Sequence, residues 1–314
     1  MLPALVLTAG HATRLRPLSL VRAKGAVPVA GMSIAERILR KLAAAGIQDA
    51  VLNLHHRPDS LTRQIGDGTA LGMRVRYSWE MPLLGSAGGP RRARPLLASP
   101  QFLVVNGDTL TDADVAGLID DHRQGDRLAT LAVVPNPAPD KYDGLAVDTA
   151  GNVTGRVLRG TGQPSFHFIG VQVVEAAAFD TVPPDTPYES VAKLYPALIA
   201  ARPGAIRAWR CDAEFLDIGT PGDYLESSLL IADREGVVLA VGASCRIDPT
   251  AHVHRSILWD DVTVEAGAML RETIVTDGVR VPAETSWHGV TLRRATGELA
   301  AGERRIGDLA VANL

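Results

Sequence analysis

The chain contains little cysteine, few aromatic residues and no long apolar run. Its 314 residues include two cysteines, Cys211 and Cys245. Two are too few for a disulfide framework, and they show no metal-ligand spacing. We expect both to be buried thiols in a reducing compartment. No apolar stretch reaches membrane-spanning length, and the first residues lack the basic region of a signal peptide. The sequence therefore predicts a cytoplasmic protein with no membrane partner.

The charge balance excludes another class of partner. Net charge is −3, and the sequence lacks the excess of basic residues with which proteins bind a nucleic-acid backbone. We therefore expect no nucleic-acid partner. Hydrophobic residues make up 46% and charged residues 21%, which is typical of a globular protein. Only four of the 32 basic residues are lysines: Lys24, Lys41, Lys141 and Lys193. A lysine among so many arginines indicates a position that requires a compact ammonium group. A codon bias toward arginine is the simpler explanation of the composition.

Residues 1–135 alternate strand-like and helix-like patterns, which is typical of βαβ units around a mostly parallel sheet. The apolar runs are residues 4–7, 50–54, 73–77, 102–105 and 128–134. Helices are predicted over 33–46, where Ser33 and Glu36 form a capping box, and over 112–124, 188–201 and 220–236. Between about 140 and 210 the pattern is richer in strands, which we expect to cover one end of the sheet.

Beyond Gly236 the apolar period becomes six residues. The step recurs at Ile247 and Val253, and again through Val262, Ala268 and Ile274. This is the hexapeptide signature of a parallel β-helix, here of about two coils, with two plain hairpins as the alternative. We predict an α/β domain at 1–236, the β-helix module at 237–290 and a flexible C-terminal tail at 291–314. A short β-helix has an exposed end, so we also predict a homo-oligomer assembled partly through it.

Residues 8–28 form a small-residue loop followed by isolated cations. Gly10 and its small neighbours let backbone N–H groups approach an anion. Neither a Walker A loop nor G-x-G-x-x-G is present. Arg14, Arg16 and Lys24 follow the loop; arginine grips phosphate oxygens as a fork, whereas lysine supplies a point charge. The layout suits a triphosphate site, and a solvated basic loop is an equal alternative at this point.

Two carboxylates follow strand-like runs. Asn106-Gly107-Asp108 ends a buried strand, and Asp217 follows an apolar pair shortly before Gly219. Ligands of open α/β sheets bind at the carboxyl ends of strands, where one or two carboxylates suffice for Mg²⁺ together with substrate oxygens. Spacing alone does not show that Asp108 and Asp217 meet. A turn or helix cap is the alternative role for Asp108.

These motifs resemble, in order along residues 4–225, those of the nucleotide-sugar pyrophosphorylases, the sugar-1-phosphate nucleotidyltransferases. The family's G-x-G-T-R, x-x-P-[LT] and K-P motifs correspond to Gly10–Arg14, Pro17-Leu18 and Lys24-Gly25. "LGSAGGPRRA" (84–93) is similar to its base-side loop, "NGD" and "DIGTP" to its metal motifs, and "FHFIGV" to its sugar-side strand. The hexapeptides resemble those of mannose-1-phosphate guanylyltransferases.

The resemblance implies a Rossmann-like, glycosyltransferase-A-type nucleotidyltransferase core with a short C-terminal left-handed parallel β-helix module. It implies that a nucleoside triphosphate and a sugar-1-phosphate condense with Mg²⁺, with Arg14 and Lys24 neutralising phosphates and Asp108 and Asp217 holding the metal. The implied nucleotide-binding residues are Leu7, Thr8, Ala9, Gly10, His11, Ala12, Thr13, Gly85, Ser86, Ala87 and Gly88. The implied sugar-binding residues are Asn106, Gly144, Arg156, Ile169 and Gly170. GTP and mannose-1-phosphate are the favoured substrates.

Three departures from the family pattern leave alternatives open. Ala12 replaces the second glycine of G-x-G, Gly25 replaces the proline of K-P, and E-K-P is missing, so that Arg156 or Arg159 is the substitute cation. Residues 155–164 resemble the branch that includes N-acetylmuramate-1-phosphate uridylyltransferases. The alternatives are therefore a uridylyltransferase for an amino-sugar-1-phosphate, or a catalytically weak homologue that senses nucleotide sugars. A glycosyltransferase is less favoured, because no Asp-x-Asp motif takes the place of "NGD".

Overall fold

The computed structural model describes residues 2–314, which form two compact units. The first, the sheet unit, comprises the described residues up to Gly10 together with Arg37–Pro58 and Ile65–Leu216. The second, the β-helix unit, comprises His11–Glu36, Asp59–Gln64 and Asp217–Leu314. The loop segment predicted over residues 8–28 is divided by this assignment: residues 8–10 belong to the sheet unit and residues 11–28 to the β-helix unit.

Six α-helices form, and none among residues 2–314 is long and apolar enough to cross a membrane. They are α1 Ile34–Ala44, α2 Pro58–Ile65, α3 Gly85–Leu97, α4 Val115–Arg123, α5 Tyr195–Ala201 and α6 Pro221–Arg234. The shorter helical turns are Thr13–Leu15, Leu18–Leu20, Lys24–Ala26, Thr69–Leu71, Ala176–Phe179 and the π-turn Ser190–Leu194. The caps explain two of the boundaries. Ser33 Oγ accepts from the Glu36 N–H at 3.2 Å before α1, and Thr220 and Asp223 form a reciprocal capping box before α6.

Five strands of the sheet unit begin within one residue of the apolar runs predicted at 4–7, 50–54, 73–77, 102–105 and 128–134. All the strands outside the β-helix are β1 Ala4–Leu7, β2 Pro28–Val29, β3 Met32–Ser33, β4 Asp49–Leu54, β5 Arg74–Trp79, β6 Gln101–Asn106, β7 Thr109–Thr111, β8 Ala129–Pro135, β9 Gly144–Val147, β10 Val153–Val157, β11 Phe166–Glu175, β12 Ile206–Arg210 and β13 Phe215–Asp217. The short β2 and β3 and the last residue of β13 belong to the β-helix unit.

Nine of these strands form one mixed sheet. Its path is β10-β9-β11-β6-β1-β4-β5, and β8 pairs with both β11 and β12. The β1, β4, β5 and β6 strands run parallel, whereas β11 is antiparallel to β6 and β8, and β9 is antiparallel to β10. The extra strands thus extend one end of a parallel core, as predicted. The strand residues Leu5, Phe102, Val104, Leu131, Val174 and Ile206 share one face of the sheet by their register, and with Phe179 they belong to one buried cluster.

The remaining strands form a parallel β-helix. They are β14 Ala240–Val241, β15 Arg246–Ile247, β16 His252–His254, β17 Ile257–Leu258, β18 Thr263–Val264, β19 Met269–Arg271, β20 Ile274–Val275, β21 Arg280–Val281, β22 Ser286–His288 and β23 Val290–Arg294. Ala240 pairs with Ile257, Ile257 with Ile274 and Ile274 with Thr291, so each coil takes 17 residues. The β-helix has three faces. The face formed by β14, β17, β20 and β23 has four stacked strands, and the other two faces have three each. The expectation of about two coils was too low, because the first coil is partly exposed and its periodicity is weak.

The β-helix core consists mainly of aliphatic side chains stacked in register. Its buried members are Leu258, Val262, Val264, Ala268, Leu270, Val275, Val279, Val281, Val290, Leu292, Leu309 and Val311. The last two come from the segment expected to be a flexible tail, and that expectation was wrong. Residues Arg304–Ile306 (β24) and Leu309–Asn313 (β25) pair antiparallel, and β25 also pairs with β23. The two cysteines are half-buried rather than buried, and desolvation raises the pKa of each thiol.

Candidate active site

In the sheet unit, β1 and β6 end side by side. Leu7 is in register with Asn106, and the Gly107 N–H donates to the Leu7 carbonyl at 3.0 Å. An ideal Cβ at Gly107 would lie 2.6 Å from that carbonyl oxygen, so only glycine permits the approach. Thr8 and the half-buried Asp108 consequently follow adjoining strand ends. This is the carboxyl edge at which open α/β sheets bind ligands.

A buried polar relay holds the start of the loop after β1. Asn53 Oδ1 accepts from the N–H groups of Thr8 at 2.6 Å and Ala9 at 3.0 Å. Asn53 Nδ2 donates to Glu80 Oε1 at 2.7 Å, and Glu80 Oε2 accepts from the Leu84 N–H at 2.8 Å. Glu80 is fully buried, and burial raises the pKa of its carboxyl. Neither Asn53 nor Glu80 was predicted; a signal that could have found Asn53 is its position as a polar residue inside the apolar run 50–54.

The segment Gly85–Gly88, expected as a loop, is the first turn of helix α3. The Ala87 and Gly88 N–H groups both donate to the Tyr188 carbonyl, at 2.8 and 3.2 Å. A Cβ at Gly88 would lie 2.7 Å from the Thr186 carbonyl oxygen. The glycines therefore serve close tertiary packing, which outweighs their low helix propensity.

The residues expected on the sugar side differ in their surroundings. Gly170 has φ +81°, and a Cβ there would lie 2.9 Å from Asn106 Cβ, so these two are neighbours. Gly144 leaves room for Ser165, whose Oγ would lie 2.1 Å from an added Cβ. Ile169 is buried, so its side chain packs in the interior and only its backbone remains for a ligand.

Arg156, expected as the substitute for the missing lysine, forms an ion pair. Its Nη2 donates to Asp143 Oδ2, and Asp143 Oδ1 accepts from the Arg159 N–H at 3.0 Å. The Arg156 side chain is 38% exposed. Hydrogen bonding to Arg156 is the main reason that the pKa of Asp143 is lowered. The nearby rings of Tyr142, His167 and Phe215 form a cluster in which His167 and Phe215 stack at 4.7 Å between centroids.

In the β-helix unit, three charged side chains surround Gly219. An ideal Cβ at Gly219 would lie 3.0 Å from Arg14 Nη1, 3.1 Å from Asp223 Oδ2 and 3.4 Å from Asp217 Oδ2. Arg14 is exposed, and Asp217 ends β13. The structure thus brings together Arg14 and Asp217, two residues that sequence motifs had selected from positions 203 residues apart.

The rest of the loop also lies in this unit. Ala12 has φ +44°, the left-handed conformation that favours glycine, and its carbonyl accepts from Ser19 Oγ at 2.9 Å. His11 and Thr13 are exposed. Lys24 begins a helical turn in which the Val27 N–H donates to the Lys24 carbonyl at 3.1 Å. Gly25, which replaces the proline of the family motif, is buried in this turn.

Among residues 2–314, no group of three or more histidine, cysteine, aspartate or glutamate side chains is placed to hold a metal ion. Each carboxylate predicted as a metal ligand, Asp108 in the sheet unit and Asp217 in the β-helix unit, has the chemistry that Mg²⁺ prefers, because this ion commonly uses one or two carboxylates and takes its other ligands from water and substrate phosphates. Their role as metal ligands stays a prediction.

The family follows from comparison with known proteins. The model of the family described as nucleotidyl transferase matches residues 3–234, and that of the GlmU-like C-terminal hexapeptide matches residues 234–292. The chain belongs to the nucleotidyl transferase family. The β1–Gly10 loop, Asp108 and Asp217 of this nucleotidyl transferase all lie within the first match.

Curated relatives of the nucleotidyl transferase include sugar-phosphate enzymes of two kinds. A mannose-1-phosphate guanylyltransferase of Mycobacterium tuberculosis is 29% identical over 295 residues, covering 85% of this chain and 82% of the relative. An N-acetylmuramate alpha-1-phosphate uridylyltransferase of Neisseria meningitidis is 34% identical over 228 residues, covering 69% of this chain and 93% of the relative. The crystal structure of HddC from Yersinia pseudotuberculosis in complex with GMP-PN superposes with a TM-score of 0.63 at 22% identity, covering 74% of this chain and all of HddC, which supports the fold alone.

Proposed function

We propose that this nucleotidyl transferase condenses a nucleoside triphosphate with a sugar-1-phosphate to give a nucleotide sugar and pyrophosphate. The observation that carries the proposal is the adjoining ends of β1 and β6, which place the Thr8 loop and Asp108 at one edge of the sheet. GTP and mannose-1-phosphate are the favoured substrates. The supporting comparison is the mycobacterial guanylyltransferase, whose similarity extends over most of both chains.

The proposed step is an in-line displacement at the α-phosphorus. An oxygen of the sugar-1-phosphate forms the new P–O bond, the bond from the α-phosphorus to the oxygen that bridges to the β-phosphorus breaks, and that oxygen leaves with pyrophosphate. Arg14 and Lys24 would bind phosphate oxygens and offset their charge, which is the main demand in phosphoryl and nucleotidyl transfer. Mg²⁺ would supply further charge neutralisation when bound, and we propose the carboxylate of Asp108 in the sheet unit and that of Asp217 in the β-helix unit as candidate ligands.

The remaining predicted residues orient the two substrates. The backbone from Leu7 to Thr13 and the first turn of α3 would contact the base and ribose. Asn106, Gly144, Gly170 and the Ile169 backbone would face the sugar, with Arg156 turned toward its phosphate. Binding both substrates in reactive geometry is itself a large part of the rate enhancement. A cytoplasmic location and a homo-oligomeric state remain predictions.

Each of two other candidate functions is supported by a specific observation. The Neisseria relative supports a uridylyltransferase that acts on an amino-sugar-1-phosphate. Ala12 at φ +44° supports a catalytically weak homologue that binds nucleotide sugars, because a β-carbon at left-handed φ costs about 1–2 kcal/mol. Replacing Ala12 with glycine would relieve this strain, and a large gain in turnover would favour that reading.

The test is pyrophosphate release with Mg²⁺. Five nucleoside triphosphates (ATP, GTP, CTP, UTP and dTTP) are combined with the 1-phosphates of mannose, glucose, N-acetylglucosamine and N-acetylmuramate. We expect GTP with mannose-1-phosphate to give the highest kcat/KM. Activity with UTP and an amino-sugar-1-phosphate alone would move the assignment to the second candidate. No release in any combination, with calorimetric binding of nucleotide sugars retained, would favour the binding homologue.

A further inference from the structure

Arg22 is a buried cation of the β-helix unit that lies two residues before Lys24. Its side chain is 8% exposed. Nε lies 2.8 Å from Asp277 Oδ2, and Nη2 lies 2.5 Å from Asp277 Oδ1 and 2.5 Å from Asp260 Oδ2. The guanidinium therefore forms a two-pronged contact with one carboxylate and a third hydrogen bond to another, the geometry that makes arginine directional.

Both carboxylates belong to the β-helix and are held by its backbone. Asp260 and Asp277 are 17 residues apart, the length of one coil, and follow the stacked strands β17 and β20. Asp277 Oδ1 also accepts from the Asp260 N–H at 3.2 Å, and Asp260 Oδ1 accepts from the Ala243 N–H at 2.8 Å. The stacking of coils thus sets the position of the two carboxylates before Arg22 contacts them.

The same guanidinium reaches the turn that contains Lys24. Arg22 Nη1 donates to the Ala26 carbonyl at 3.5 Å, and Gln64 Nε2 donates to the same oxygen at 3.3 Å. Ala26 closes the turn that begins at Lys24. These two side-chain contacts to the Ala26 carbonyl add to the backbone hydrogen bond from the Val27 N–H to the Lys24 carbonyl and help to determine the position of the turn.

A second set of contacts holds the chain on the other side of this turn. The Arg22 guanidinium carbon lies 5.2 Å from the centre of the fully buried Trp259 ring. Trp259 Nε1 donates to the Tyr224 hydroxyl at 3.0 Å, and that hydroxyl donates to the Pro28 carbonyl. The segment from Arg22 to Pro28 is therefore fastened at both ends to groups of the β-helix and of helix α6.

We propose that Arg22 is a positioning residue for Lys24, and that Asp260 and Asp277 make the β-helix part of the scaffold of the phosphate site. The inference rests on the proposed function, in which Lys24 binds a substrate phosphate. A stabilising role alone would not require this arrangement: the two carboxylates are 39% and 29% exposed, and ion pairs, whether exposed or buried, add little net stability. Such geometry matters when it fixes the direction of a side chain that binds substrate, because small displacements of a charged group reduce turnover strongly.

The decisive experiment is a double-mutant cycle on the full chain with Arg22→Met and Lys24→Met. We expect Arg22→Met to lower kcat by about tenfold or more, with KM for the nucleoside triphosphate changed less. In the Lys24→Met background the same change should lower kcat by less than about twofold, because its effect is exerted through Lys24. Independent, multiplicative effects of the two substitutions would overturn the inference.

Two further variants separate positioning from folding. Arg280→Met makes the same substitution at an exposed ion pair with Glu265 on the same module, and should leave kcat and KM unchanged. Asp277→Asn keeps the Asp260 contact and should lower kcat in the same direction as Arg22→Met, even if the latter variant fails to fold. Wild-type turnover of Asp277→Asn, with a lowered unfolding midpoint as its only effect, would mean that the cluster is merely structural and would overturn the inference.

Failure of the proposed function gives a different result. If wild-type protein releases no pyrophosphate, the cycle is measured as calorimetric affinity for GTP and UTP. Non-additive losses of affinity would support the positioning role without the reaction. Additive losses would overturn it, and wild-type protein that binds neither nucleotide would overturn both proposals.

Discussion

The two units hold their parts of the predicted phosphate loop in chemically different ways. In the sheet unit, Thr8 and Ala9 are held by a buried amide, Asn53, which is itself held by Glu80. In the β-helix unit, the Lys24 turn is held by a guanidinium between two carboxylates. A strand end already has fixed backbone geometry, so a few short hydrogen bonds complete it. The Lys24 turn is held by a backbone hydrogen bond from the Val27 N–H to the Lys24 carbonyl, and directional side-chain contacts add to it.

The hydrophobic cores of the two units also differ in how regular they are. The sheet core brings together residues from distant strands and includes the stacked rings of Phe102 and Phe179. The β-helix core repeats small aliphatic residues every coil and is completed by Leu309 and Val311 of the last strand. The first depends on many unlike neighbours and the second on a regular stack. Substitutions placed in equivalent roles in each unit test how far this contrast extends.

The largest effect is expected on turnover, with one variant in each unit. Asp108→Ala in the sheet unit and Arg14→Ala in the β-helix unit should each lower kcat by at least about 10²-fold, the usual loss when one preorganised charge is removed. The measurement is pyrophosphate release with the best substrate pair. Asp140→Ala, an exposed carboxylate of the sheet unit, is the control. Near-wild-type rates in both variants would contradict the proposed reaction.

Leu131→Ala and Leu270→Ala compare the two cores. Each side chain is at most 1% exposed, and each truncation leaves a cavity that should lower the free energy of unfolding by about 2.5 kcal/mol or more. Urea unfolding measures the loss, and amide hydrogen exchange shows which strands are affected. We expect faster exchange in β8, β11 and β12 for Leu131→Ala, and in the stacked rungs around β19 for Leu270→Ala. The same pattern in both variants would argue against two separate cores.

Glu80→Gln tests the relay of the sheet unit. Both carboxylate oxygens accept hydrogen bonds, from Asn53 and from Leu84, so the amide group of glutamine must face a donor on one side. We expect a loss of about 1–2 kcal/mol in the free energy of unfolding and weaker binding of the nucleoside triphosphate. Glu226→Gln makes the same change at an exposed position and should have no effect. Unaltered stability and affinity in Glu80→Gln would show that the relay is not required.

The smallest effect concerns a histidine. His122 is buried in the sheet unit, with Nδ1 at 2.8 Å from Thr130 Oγ1, whereas His252 in the β-helix unit is exposed. Desolvation lowers the pKa of His122 below its ordinary value of 6.5, so the unfolded chain takes up the proton first as the pH falls. The free energy of unfolding should therefore fall as pH drops from about 6.5 through the pKa of the folded state.

The comparison of two substitutions measures this pH dependence. In urea unfolding at a series of pH values between 7.5 and 5, His122→Gln should flatten the slope. His252→Gln should leave it as in the wild-type protein. An unchanged slope in His122→Gln would mean that His122 does not contribute to the pH dependence of stability.

The amino-acid sequence by itself determined most of the regular structure and the choice of charged residues. The apolar runs at 4–7 and 102–105 gave β1 and β6 within one residue, and the six-residue step gave the β-helix. These features are local, because periodic burial is written into adjacent residues. Arg14 and Asp217 were selected by motif, and the structure places both beside Gly219.

The tertiary structure alone decided which polar groups meet. Helix α3 forms through Gly88-Gly89-Pro90, against local propensity, because the glycines allow close packing that no periodicity indicates. Asn53 meets Glu80 only because their strands adjoin, and Arg22 meets Asp260 and Asp277, more than 200 residues away, only because two coils stack. Hydrogen bonds and ion pairs depend on distances of a few ångströms between segments far apart in the chain, and such distances arise only when the whole fold has formed.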